Sequence, residues 1–143
     1  EEMAISTRFS VAVHILTLID MNQERSITSD FIAASVNTNP VVIRRIMSKL
    51  KKAGLIHSSP GVSGTYLLKE ASEITLYDIY AAVDGTEQLF DIHKNPNPNC
   101  EVGANIQVTL DTVFNHAQQQ MEADLKQTNL SQITANIKQK ATN

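Results

Sequence analysis

Residues 38–56 read TNPVVIRRIMSKLKKAGLI, and this stretch limits the possible folds more than any other in the chain. At about 100° per residue from Pro40, Val42, Ile43, Ile46, Met47, Leu50 and Ala53 fall between about 200° and 340°. Arg44, Arg45, Lys49, Lys51 and Lys52 fall between about 20° and 180°, so the two sets do not overlap. Such a helix must bury one face and leave the other as a cationic strip, with Val41 and Ser48 near its middle. Thr38 or Asn39 is placed to cap it, Pro40 suits its first turn, and Gly54 stops it.

The flanks decide what that helix belongs to. Residues 4–21 are apolar at 5, 9, 12, 13, 16 and 19, with a second stripe at Val11, Ile15 and Leu18. A helix apolar around most of its circumference packs on more than one side. Residues 29–36 (SDFIAASV) follow a hydroxyl-rich start and predict a short helix before the Asn37-Thr38-Asn39 turn. After the basic helix, Leu55–Ser58 and Thr65–Leu68 read as two short strands around turn-forming residues 60–64. Thr75 and Asp78 have capping-box spacing at the start of LYDIYAAVD, which ends at Gly85.

This order of helix, short helix, turn, helix and hairpin predicts a mainly α fold with a small β-hairpin, a winged helix-turn-helix. A loop dense in Asn and Pro (DIHKNPNPNCEVG, 91–103) follows. Beyond it, apolar residues at 106, 110, 113, 114, 117, 121 and 125 form one stripe on a long helix. A small domain has little use for so long a stripe on its own core. The expectation is a two-fold homodimer. A weaker last helix is expected over 129–140. The organisation predicted is 1–85 for DNA binding, 86–103 for a connecting or effector loop, and 104–143 for a helical dimerisation arm.

Net charge is −3, which alone speaks against nucleic-acid binding. Its distribution reverses that. Residues 1–70 carry 8 Lys/Arg against 6 Asp/Glu, whereas 71–143 carry 4 against 9. From Phe31 to Lys69 there is no acidic residue and there are six basic ones. A merely solvated basic face usually carries acids that pair with its lysines. Here they are missing, and a valine in the middle of the face has no use in solubility. The face fits double-stranded DNA, whose phosphates respond to local potential.

Direct readout belongs to the N-terminal part of a reading helix, so Thr38, Asn39, Val41, Arg44 and Arg45 are the candidates for base edges. Lys49, Lys51 and Lys52 are the candidates for phosphate. Thr28, Arg8 and Ser63 of the glycine-bounded wing complete the DNA-facing set, with a plain surface role as the alternative for Arg8.

No phosphate loop, nucleophile motif or metal-ligand spacing stands out, so no enzyme is expected. His93 and Cys100, seven residues apart in one loop, are candidates for a redox or effector site, against the plainer reading as loop polar residues. A single cysteine fits a reducing compartment, and no membrane span is evident. A cytoplasmic protein is expected.

The run from Arg8-Phe9-Ser10-Val11-Ala12 through KLKKAGLIHSSPGVSGTYLL and ITLYDIYAAVDG resembles the Rrf2 family of winged-helix transcriptional regulators, the family of IscR. The resemblance spans about residues 4–135 and implies dimeric DNA-binding regulators, mostly repressors, joined by the long C-terminal helix. Many members hold an iron–sulfur cluster on three closely spaced cysteines in the loop before that helix. Here Cys100 stands alone, and one thiol with His93 does not supply three or four ligands. The sequence looks like the cluster-free, YwnA-like branch, so no cofactor is expected. Where many members have Tyr-Leu-Glu in the reading helix, this chain has Val42-Ile43-Arg44. Two competing functions remain: a winged helix used for protein contact, and a thiol- or metal-dependent sensor built on Cys100.

Overall fold

The computed structural model describes residues 5–25, 27–58, 64–85 and 89–142, with Ile5 and Ser6 described for their backbone alone. Among the described residues, six α-helices and one two-stranded sheet follow in the order α1 (Ile5–Met21), α2 (Ser29–Val36), α3 (Pro40–Lys52), β1 (Ile56–Ser58), β2 (Thr65–Leu67), α4 (Leu76–Asp84), α5 (Glu101–Leu125) and α6 (Leu130–Ala141). A 3-10 turn at Ala71–Glu73 precedes α4. The winged helix-turn-helix read from the sequence is present.

The ends of the helices follow their local chemistry. Thr28 caps α2, its hydroxyl accepting from the Phe31 amide. Asn37 takes a left-handed conformation at φ 59° and turns the chain. Of the two candidates for the α3 cap, Asn39 is the one used: its Oδ1 accepts from the Val41 amide at 2.8 Å. At the other end the Gly54 amide donates to the Lys51 carbonyl and the Leu55 amide to the Leu50 carbonyl. This closed turn needs the positive φ of Gly54, +77°. Ala53, expected on the buried face, is instead the exposed C-cap residue of α3. The Thr75–Asp78 capping box of α4 forms in both directions.

α1 is the central helix. Val11, Ala12, Ile15, Leu16 and Ile19 are all buried on it, across both of the apolar stripes seen in the sequence. It meets Ile32 of α2, Ile43 and Leu50 of α3, Ile56 of β1 and Ile79 of α4 in one core. Each such side chain contributes about 1.5–3 kcal/mol by leaving water. β1 and β2 pair antiparallel with Ile56 opposite Leu67, His57 opposite Tyr66 and Ser58 opposite Thr65. Ile27 adds a single bridge to Thr65 on the outer edge.

The arm expected over 104–143 is two elements with different attachments. α5 begins at Glu101, earlier than the sequence suggested, because Cys100 is its N-cap and the loop closes by Asn99. None of its 25 residues is buried. α6 instead turns back onto the winged domain. Its N-cap Asn129 bridges to Thr75, the Leu130 amide donates to the Ile74 carbonyl, and Leu130 is fully buried.

Candidate nucleic-acid interface

The core clamps α3 by Val42, Ile43, Ile46, Met47 and Leu50, all buried. Its opposite face carries Val41, Arg44, Arg45, Ser48, Lys49, Lys51 and Lys52, all exposed. The two faces drawn from periodicity are therefore physically distinct. Val41 is 45 % exposed, a large apolar side chain kept in water beside two arginines.

The candidate residues fall into three groups. Val41, Arg44, Arg45 and Lys52 share the exposed α3 surface, and Thr38 lies half-buried in the turn that leads into it. Asn39 and Thr28 sit at helix N-termini, each with its side-chain oxygen occupied by a capping bond. The others make contacts that the sequence did not suggest. Lys49 Nζ reaches the Val83 carbonyl at 3.4 Å, near the C-terminal end of α4. Lys51 Nζ donates to the Ser58 carbonyl at 2.9 Å and ties β1 to α3. Arg8 Nε donates to Asp84 Oδ1 at 2.7 Å, with Asp84 fully buried and Arg8 only partly so. Ser63 lies outside the described residues.

The loop before α5 is fastened down on it. Gln107 Nε2 donates to the His93 carbonyl at 3.0 Å, so it is the backbone of His93 that is engaged. Phe90 stacks on Phe114 with ring centroids 4.9 Å apart. The Leu89 amide lies 3.4 Å from Gln118 Oε1. Cys100 is exposed at the N-terminus of α5. No hydrogen bond from its side chain closes the cap, yet the amides of Gly103 and then Val102 favour its thiolate and lower its pKa from the ordinary thiol value. Cys100 and His93 do not assemble a ligand set: among the described residues no three His, Cys, Asp or Glu side chains group as a metal site.

Sequence reasoning missed one feature of the hairpin. His57 and Tyr66 stack across the strands with centroids 4.9 Å apart and planes 27° apart. The signal was present, because period-two alternation puts both on the face opposite buried Ile56 and Thr65.

Residues 5–136 match the Rrf2 family, described as "Iron-dependent Transcriptional regulator". The chain is 47 % identical over 129 residues to YwnA of Bacillus subtilis (strain 168), a candidate HTH-type transcriptional regulator, covering 90 % of this chain and 96 % of that one. It is also similar to the crystal structure of a candidate DNA-binding protein, with 43 % identity and a TM-score of 0.70 over 88 % of this chain and 97 % of that one. The structure of a candidate transcriptional regulator from Lactobacillus plantarum superposes with a TM-score of 0.79 at 27 % identity, over 92 % of this chain and 89 % of that one. Among the described residues no helix is long and apolar enough to cross a membrane.

Proposed function

The chain belongs to the Rrf2 family of transcriptional regulators, and on that premise we propose that it is a homodimeric repressor that sets α3 of each subunit in a major groove of its operator. The observation that carries this reading is the exposed face of α3, cationic and acid-free, on a helix fixed from behind by five buried side chains. Val41 is suited to a thymine methyl, and Arg44 or Arg45 to guanine O6 and N7. Thr38 and the Asn39 Nδ2, whose Oδ1 partner is taken by the cap, are further donors at the helix start. Lys52 is the clearest phosphate ligand. Lys49, Lys51, Thr28 and the wing residue Ser63 extend the footprint along the backbone.

Dimerisation is supported by α5, whose apolar stripe is not buried within one chain: Val113 is 55 % exposed. A two-fold pair would space the two readers by about one helical turn, ~34 Å, or a multiple of it. The loop from residue 89 to 100, hydrogen-bonded to the root of α5, is the place where an effector would change that spacing.

The family description names iron. An iron–sulfur cluster takes three or four ligands, typically thiolates, and this sequence has one cysteine. The residues present do not fit a cluster, and regulation is assigned to another signal. The lowered pKa of Cys100 supports thiol oxidation as a second reading of that signal.

Selection of bound DNA from a random pool, at stated salt, tests the function. The expected result is enrichment of a two-fold site, with log K falling linearly with log salt. No enrichment and a shallow salt slope would instead favour a winged helix used for protein contact.

A further inference from the structure

The hairpin carries a second exposed surface beside α3. Strand alternation buries Ile56 and Thr65, and leaves Tyr66 46 % exposed on the other face. Its ring is held against His57, 4.9 Å between centroids, so its rotamer freedom is already reduced. The Tyr66 hydroxyl makes no hydrogen bond among the described residues. A tyrosine held in this way presents a fixed donor to whatever lies outside.

The surroundings point to an anionic partner. Lys51, on the basic face of α3, donates to the Ser58 carbonyl at 2.9 Å, one residue along β1 from His57. This bond holds the hairpin against the cationic face of α3. No acidic residue occurs from Phe31 to Lys69. Carboxylates resume at Glu70 and Glu73, which share one edge of Tyr66 in a polar cleft with Lys69 and Gln23. The charge change falls at the end of the hairpin.

We propose that Tyr66, oriented by His57, contacts the DNA backbone on the flank of the half-site read by α3, its hydroxyl donating to a phosphodiester oxygen. This rests on the DNA-binding reading above and adds a contact from the strands of the hairpin, beyond its glycine-bounded tip. Tyr66 is the contacting residue and His57 is a positioning residue that acts through it.

The test uses the full chain and a selected operator. Tyr66→Phe keeps the stack and should leave thermal melting unchanged. It should weaken operator and unrelated DNA alike, by roughly tenfold, as expected for a lost hydrogen bond to a charged group. The salt slope should stay constant because tyrosine carries no charge. Ethylation interference should disappear at one flanking phosphate per half-site. His57→Ala should weaken binding in the wild type but add little in the Tyr66→Phe background. A Tyr66→Phe protein with wild-type affinity and interference pattern, alongside an impaired Arg44→Ala protein, overturns the hairpin contact alone. An Arg44→Ala protein that matches a wild type without sequence preference overturns the reading of α3 instead.

Discussion

The Nε of Arg8 donates to Oδ1 of Asp84 at 2.7 Å, joining the start of α1 to the last residue of α4. Asp84 is 1 % exposed, so its carboxylate has left water and depends on the charge beside it. The arginine expected at a DNA phosphate has its Nε engaged by a carboxylate of its own domain.

Arg8→Ala should therefore act on stability. Removing one partner of a buried pair costs about 3–5 kcal/mol. With an arginine side chain 17 % exposed the lower end is expected, a fall in melting temperature of roughly 10 °C. The salt slope of DNA binding at a temperature where the variant is folded should not change. A slope reduced by about one with unaltered melting would return Arg8 to the DNA backbone.

Arg44 and Lys52 should separate readout from attraction. Both are exposed on α3, but Arg44 lies in its first half and Lys52 is its last residue. Arg44→Ala should cost about 1–3 kcal/mol on the operator and relax preference at one base pair. Lys52→Ala should weaken all sequences alike and lower the salt slope by about one. Lys51→Met should weaken binding through the hairpin it tethers by its bond to Ser58, with a smaller change in slope than Lys52→Ala. Competition with operator variants across a salt series checks all three, and equal effects of Arg44→Ala on every sequence would remove it from base readout.

Cys100 should react as a thiol with a lowered pKa. The first-turn amides of α5 favour its charged form, so its ionisation midpoint falls and more thiolate is present at neutral pH. Alkylation followed against pH should show a midpoint lower than that of the same cysteine in the unfolded chain. Gly103→Ala should reverse this. A Cβ there would lie 2.0 Å from the Asn97 carbonyl oxygen, so the loop must move off the helix start. The midpoint should then rise toward the ordinary value. Identical profiles for both proteins would detach the shift from this geometry.

What the sequence disclosed was what repeats or caps locally. The two faces of α3, the span of α2 and the Thr75–Asp78 box all follow from spacings of two to four residues, and all are present. Contacts between distant residues have no such signature. Arg8 and Asp84 are 76 positions apart, and Lys49 reaches Val83 across 34. Nothing in either neighbourhood marks the partner. The docking of α6 was hidden for the same reason. Leu130 is an ordinary residue in a weakly amphipathic helix, and its burial depends on a backbone bridge between Thr75 and Asn129. At the interface, periodicity identified the exposed α3 residues, but it could not show that Lys49 and Lys51 also reach carbonyls of their own domain.

Val113 and Val108 should respond in opposite ways to a buried charge. Both are exposed on α5, at 55 % and 73 %. Five residues apart, they point about 140° away from each other on a helix. Val113 lies on the stripe with Leu110, Phe114 and Ala117, each half-buried in the single chain, whereas Val108 lies off it. If a second copy covers that stripe, Val113→Asp would place a carboxylate where water is excluded. A cost of several kcal/mol follows, enough to dissociate the dimer at micromolar concentration. Val108→Asp should leave it intact. Sedimentation velocity reads this directly. The operator affinity of Val113→Asp should also fall, because two linked readers bind as one unit and separated readers do not. Monomers in both variants and in the wild type would show that α5 does not pair the chain, and the two-fold operator expected from it would have no basis.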